Sequence, residues 1–280
     1  MADPVPFGTR LRQAMDANGP LCVGIDPHPG LLAAWGLEDS AAGVRTFSLR
    51  VIEAMSGVAA IVKPQVALYE RFGSAGFAAL EETLLTAKQA GLLTLADAKR
   101  GDIGSTMAAY ATAWLDDSSP LASDAVTLSP YLGYESLRPA IDLAAATGRG
   151  VFVLGLTSNP EGPSVQHVGG DKSVARSIIE QVTAENAAAE DLGHVGLVVG
   201  ATIGDAPAKL GIDLAASKAP LLTPGLGAQG ATAQDIANAF ASSYRQVLGT
   251  SSRDILKAGP ELTALQDKAR QVRDELLAAS

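Results

Sequence analysis

The chain has 280 residues, 47% hydrophobic and 18% charged, with a formal net charge of -9. A surplus of acid argues against a broad phosphate-backbone surface, so nucleic acid is not an expected partner. A small anion needs only a local positive site and stays open. The one cysteine, Cys22, excludes an internal disulfide and a cysteine-cluster metal site; it lies in an apolar run and reads as a buried, inert thiol.

Met1–Arg10 carries no apolar core of signal-peptide length, and no uninterrupted apolar run approaches ~20 residues. No membrane span is expected, and the default location is cytoplasmic. In chain order, short apolar runs alternate with longer amphipathic stretches. The runs are Leu21–Ile25, Ala59–Val62, Leu92–Ala96, Ala125–Leu128, Val151–Leu156, Val195–Val199, Leu221–Thr223 and Gln246–Gly249. The helical stretches include Ala41–Met55, Gly76–Ala90, Ser105–Leu115, Ser136–Ala146, Ser173–Leu192 and Thr232–Ser242; Ala206–Leu210 is the shortest. Phe7–Ala17 and Leu262–Leu277 read as extra helices at the two ends.

Apolar strands without polar alternation, each followed by a helix, predict a parallel sheet covered by helices. Eight such units with no linker predict one (β/α)8 barrel domain over residues 1–280; a doubly wound open sheet is the alternative. A barrel places its active site at the C-terminal strand ends. There the sequence turns polar repeatedly: Asp26-Pro27, Lys63-Pro64, Asp97-Ala98-Lys99, Ser129-Pro130-Tyr131, Thr157-Ser158-Asn159, Ala201-Thr202, Pro224-Gly225 and Ser251-Ser252-Arg253.

The densest such stretch is Asp97, Lys99 and Asp102. Residues two apart on a strand share a face, so Asp97 and Lys99 point together, and Asp102 follows at a helix start. A structural ion pair at the barrel rim would explain the three alone. Lys63, ending the neighbouring strand, shifts the reading toward chemistry: alternating lysines and aspartates add little stability that apolar packing could not supply. They can set charge and hold a proton donor.

The turn Pro224-Gly225-Leu226-Gly227-Ala228-Gln229-Gly230 leads from a strand into a helix. Glycine-rich turns of this kind expose N–H groups to phosphate, although an ordinary connection would look similar. Arg253, after the last strand, makes a phosphate clamp between the seventh and eighth loops the better reading. The aperiodic stretch Thr157–Asp171 is either a lid or a surface loop. Asp26 could bind sugar hydroxyls or cap the turn before Pro27. His28, His167 and His194 lie far apart without ligand spacing, so no metal site is expected.

Asp97, Lys99, Asp102, Ile103 and Thr106 together resemble the signature of the orotidine 5′-phosphate decarboxylase family. Asp26, Lys63, the Leu156-Thr157-Ser158-Asn159-Pro160 run, the Pro224–Gly230 turn and Ser252-Arg253 extend the resemblance, in order, from about residue 20 to 255. The motifs are specific and resemble the longer bacterial branch of the family; Glu161–Asp171 falls outside them. The resemblance implies a (β/α)8 barrel, a homodimer with shared sites, orotidine 5′-monophosphate as substrate, UMP and CO2 as products, and no metal or organic cofactor. It implies ribose contacts from Asp26 and Lys63, and Asp97 facing the carboxylate. Lys99 would deliver a proton to C6, and Ser158 would contact the pyrimidine. Pro224, Gly225, Gln229, Gly230 and Arg253 would surround the phosphate, while Asp102, Ile103 and Thr106 would reach the partner's site.

Two rivals remain on the sequence. Keto-sugar-phosphate decarboxylases and hexulose-phosphate synthases also carry an Asp-x-Lys strand, usually with an acidic residue before the Asp to hold magnesium. Here Thr94, Leu95 and Ala96 precede Asp97. A catalytically silent phosphosugar-binding barrel would not need the full Lys63, Asp97, Lys99 and Asp102 set.

Overall fold

A computed structural model describes residues 4–227 and 230–279. Eight parallel strands close on themselves in sequence order: β1 (Leu21–Ile25), β2 (Ile61–Pro64), β3 (Leu93–Arg100), β4 (Ala125–Leu128), β5 (Gly150–Leu156), β6 (Val195–Val199), β7 (Leu221–Pro224) and β8 (Val247–Ser251). Closure is made by β1 against β8, with Cys22 opposite Thr250. The expected eight-stranded barrel is therefore the observed one, and the open sheet is excluded.

The strands carry two cores because side chains alternate between faces. Leu21, Val23 and Ile25 point out toward the helices, while Cys22 points in; Val151 and Val153 point out, while Phe152 points in. The inward layer also holds Ile61, Leu95, Leu222 and Leu248. Its floor is α1 (Phe7–Asn18), whose Phe7 meets Phe152 edge-on at 6.0 Å. Gly150 makes room for that ring: a Cβ there would lie 2.3 Å from it. Arg10 ties the floor to the barrel through Asp124 at 2.6 Å, and Asp124 also accepts from the N–H and hydroxyl of Thr94.

Around the strands run α2 (Ala41–Met55), α3 (Gly73–Gln89), α4 (Gly104–Leu115), α5 (Arg138–Thr147), α6 (Val174–Glu185) and α7 (Ala233–Phe240). The terminal α8 (Leu262–Ala278) buries Leu265, Ala269, Val272 and Leu276, an apolar stripe at helical spacing. Among the described residues no helix is long and apolar enough to cross a membrane.

At three elements the structure departs from the sequence reading. The helix expected over Ser173–Leu192 stops at Glu185. Beyond it the buried Asn186 donates from Nδ2 to the carbonyls of Val195 and Ser217, at 2.8 and 3.1 Å, which ties this segment to the barrel. The third strand runs on through Arg100, so the Asp97–Lys99 motif lies within it. The aperiodic stretch after β5 contains a short helix, Pro163–Gln166, and a 3₁₀ turn, Gly170–Lys172.

Candidate active site

Inward alternation decides what meets at the C-terminal mouth. Lys63 follows Ile61 and Asp97 follows Leu95 on the inner face; Thr250 stands above Leu248 and Pro224 above Leu222. Together they line a cavity of about 530 Å³, with Asp26, Gln65, Lys99, Ser158, Gly225 and Arg253 among its other walls.

Asp97 is the hub. Its Oδ2 accepts from Lys63 Nζ at 2.9 Å, and its Oδ1 accepts from Lys99 Nζ at 2.6 Å and from the Thr127 hydroxyl at 2.9 Å. The Asp97 and Lys63 side chains are 8% and 6% exposed, whereas that of Lys99 is 44% exposed and faces the cavity. Burial alone would raise the Asp97 carboxyl, but the charges of Lys63 and Lys99 outweigh it and hold the group well below the usual carboxylate range. Burial would likewise lower the Lys63 ammonium; Asp97 and Asp26 overcome this and hold it well above the usual lysine range. The Lys63–Asp97–Lys99 array thus sets two basic side chains on one carboxylate, and Lys99 is the one open to a ligand. Beneath them, burial pushes the Cys22 thiol up to about 12, so it stays protonated, as an inert core thiol should.

Asp26 follows β1 and accepts from the Ser252 hydroxyl at 2.5 Å. Gly24 allows that approach, since a Cβ there would lie 2.7 Å from Ser252 Cβ. The other oxygen, Asp26 Oδ1, is buried with no hydrogen-bond partner among the described residues. Ser158 comes in over the end of β6, where Gly200 leaves it room. Its loop is latched: Gln166 accepts from the Thr157 N–H at 2.9 Å and donates back to the Thr157 hydroxyl at 2.6 Å.

Pro224 and Gly225 line the cavity beside Arg253. Gly225 and Gly227 take φ values of +122 and +75, a turn that only glycine follows freely. Gly230 closes the same turn by donating to the Gly227 carbonyl, but it does not line this cavity. Gln229 lies outside the described residues. Asp102, Ile103 and Thr106 do not line this cavity: Asp102 accepts from its neighbour Ile103 N–H at 2.7 Å, and Ile103 is 62% exposed on the rim.

Sequence reasoning missed Thr127, Gln65 and the bond from Ser252 to Asp26. The signal for Thr127 was present, a hydroxyl in an otherwise apolar strand. Threonine is common in strands, so the residue type alone does not set it apart. Among the described residues no group of three or more His, Cys, Asp or Glu is placed to hold a metal ion.

Residues 19–267 match the orotidine 5′-phosphate decarboxylase / HUMPS family. The chain belongs to that family. It is 54% identical to an orotidine 5′-phosphate decarboxylase of Streptomyces coelicolor, with 98% of each chain covered. It is 55% identical to one from Salinispora arenicola, again over 98% of each. A crystal structure from Streptomyces avermitilis, described as a candidate orotidine 5′-phosphate decarboxylase, superposes with a TM-score of 0.94 at 53% identity, covering 99% of this chain and 97% of that one.

Proposed function

We propose that this barrel decarboxylates orotidine 5′-monophosphate to UMP and CO2, a step of de novo pyrimidine synthesis, in the cytoplasm. The observation that carries the reading is one cavity holding the Lys63–Asp97–Lys99 array, the unpartnered Asp26 Oδ1 and Arg253. The names of the relatives at 54% and 55% identity support it.

In this reading the phosphate sits against Pro224, Gly225 and Arg253, and the family resemblance adds Gln229. Backbone N–H groups and a guanidinium suit a dianion. Asp26 and Lys63 take the ribose hydroxyls: Asp26 Oδ1 is a free acceptor and Lys63 a donor. Ser158 meets the pyrimidine. The substrate carboxylate then lies near Asp97, and C6 near Lys99.

Breaking the bond between C6 and the carboxylate leaves its electron pair at C6, where no adjacent carbonyl accepts it. The fixed positive charge of Lys99 stabilises that anion electrostatically. A Lys99 Nζ proton then passes to C6, CO2 departs, and solvent reprotonates the amine. Asp97 repels the ground-state carboxylate and holds the ammonium in place. These roles call for no cofactor. Phosphate binding, remote from C6, supplies energy to orient the base.

A second copy completes each site. Ile103, Tyr131 and Leu132 expose 62%, 80% and 55% of their surface on loops leaving adjacent strand ends, which suits a homodimer face. Asp102, Ile103 and Thr106 on that rim reach the neighbour's substrate.

The experiment is turnover of orotidine 5′-monophosphate by the purified chain, followed by loss of orotate absorbance, with and without EDTA. Turnover insensitive to EDTA is expected. A magnesium requirement, or activity on keto-sugar phosphates instead, would reassign the site to the other branch; the absence of a carboxylate at Thr94, Leu95 or Ala96 speaks against that outcome.

A further inference from the structure

Between β3 and β4 the strand register is uneven. Ala96 pairs with Val126 and Arg100 pairs with Leu128, so Asp97, Ala98 and Lys99 all oppose the single residue Thr127. A bulge of this kind leaves backbone groups without ladder partners. Lys99 also takes φ +48, the left-handed region that a lysine rarely enters. Something other than the ladder must hold this segment.

Thr127 does so with one hydroxyl. Its Oγ1 accepts from the Lys99 backbone N–H at 2.9 Å and donates to Asp97 Oδ1 at 2.9 Å. The direction is forced, because an amide N–H only donates and the ionised carboxylate only accepts. Lys99 Nζ returns to the same carboxylate oxygen at 2.6 Å. A closed ring results, from the Lys99 amide through the Thr127 hydroxyl and Asp97 Oδ1 to the Lys99 ammonium. The Lys99 side chain is 44% exposed, so packing alone does not confine its rotatable bonds. Thr127 is fully buried and rigid at χ1.

We infer that Thr127 is a positioning residue, whose hydroxyl fixes both the left-handed backbone of Lys99 and the orientation of Asp97, and so the place from which the Lys99 ammonium acts. The inference rests on the proposed decarboxylase reading for its kinetic arm only. Isosteric Thr127→Val removes the hydroxyl and Thr127→Ser keeps it. For Val, kcat on orotidine 5′-monophosphate should fall by about 10²-fold with KM little changed, the scale of an ångström-sized misplacement. Ser should restore kcat to near the parent value. Crystal structures should show Lys99 leaving the left-handed region, or its ammonium leaving Asp97, in Val and not in Ser. If Thr127→Val does not fold, Thr127→Ala carries the same expectations. Parent-like kcat in the folded Val or Ala variant, Ser as impaired as Val, or unchanged Lys99 geometry without the hydroxyl would each overturn the role. Failure of the parent chain to turn over this nucleotide would instead overturn the functional reading, and the crystal structures would still decide the role of Thr127.

Discussion

Lys63 and Asp97 meet across neighbouring strands, Nζ to Oδ2 at 2.9 Å, with each side chain less than a tenth exposed. Removing one partner of a buried pair strands the other, at a cost of about 3–5 kcal/mol. Asp97→Asn should lose stability on that scale at pH 7, measured by urea unfolding. The Asp97 carboxyl is depressed, so its contribution is present above the ordinary carboxylate pKa of about 3.9 and is lost as pH falls below it. The Lys63 ammonium is raised, so its contribution is present below about 10.4 and is lost as pH climbs beyond. The parent should therefore be most stable between those limits, with the acid limb shallower in the variant. Equal urea midpoints at pH 7 would contradict this.

Lys99→Ala should abolish most decarboxylation while leaving the fold intact, because the side chain is already 44% exposed. A positioned acid contributes typically ~10²–10⁴-fold. Retention of more than about a tenth of parental turnover would show that another group delivers the proton.

The placement of Asp102 outside its own cavity allows a complementation test. Asp102→Ala and Lys99→Ala chains, each inactive alone, should regain activity when mixed under subunit exchange. A heterodimer holds one site lacking both groups and one lacking neither, so about half the parental activity per dimer is the ceiling. Verified heterodimers that stay inactive would rule out Asp102 serving the neighbouring site.

Arg253→Ala should weaken kcat/KM on the phosphorylated nucleotide by roughly 2–4 kcal/mol. Unphosphorylated orotidine, lacking the partner group, should be a poor substrate already and change little. UMP and inorganic phosphate should also bind less tightly to the variant. Equal losses on both substrates would place Arg253 in the ring site or the fold instead of the clamp.

His194 lies at the opposite end of the barrel from the mouth, beside α1, with Nε2 buried and unpartnered among the described residues. Burial pushes its imidazole down; Glu185 and Asp142 oppose the shift and Arg138 adds to it. A depressed base binds its proton more weakly in the folded chain, so stability should fall as pH drops below the ordinary histidine pKa of about 6.5. His194→Gln should flatten the slope of urea midpoint against pH between about 7 and 5. An unaltered slope would locate that sensitivity elsewhere.

The amino-acid sequence by itself determined a parallel sheet covered by helices and the polar ends of its strands; barrel closure, β1 against β8, came from the tertiary structure. Apolar runs without alternation, such as Val195–Val199, belong in a parallel sheet covered on both faces. Parallel strands then put every C-terminal end, and so Asp26, Lys63, Asp97 and Arg253, at one face. Only the tertiary structure decided which groups touch. Thr127 answers a bulge that depends on the pairing of β3 with β4, and Ser252 reaches Asp26 across 226 residues. The length of α6 was also beyond local reading, because Asn186 stops it by bonding to Val195 and Ser217, carbonyls placed there by the rest of the barrel. Periodicity is a local property and survives in the sequence, whereas register and side-chain contact depend on where distant segments come to lie.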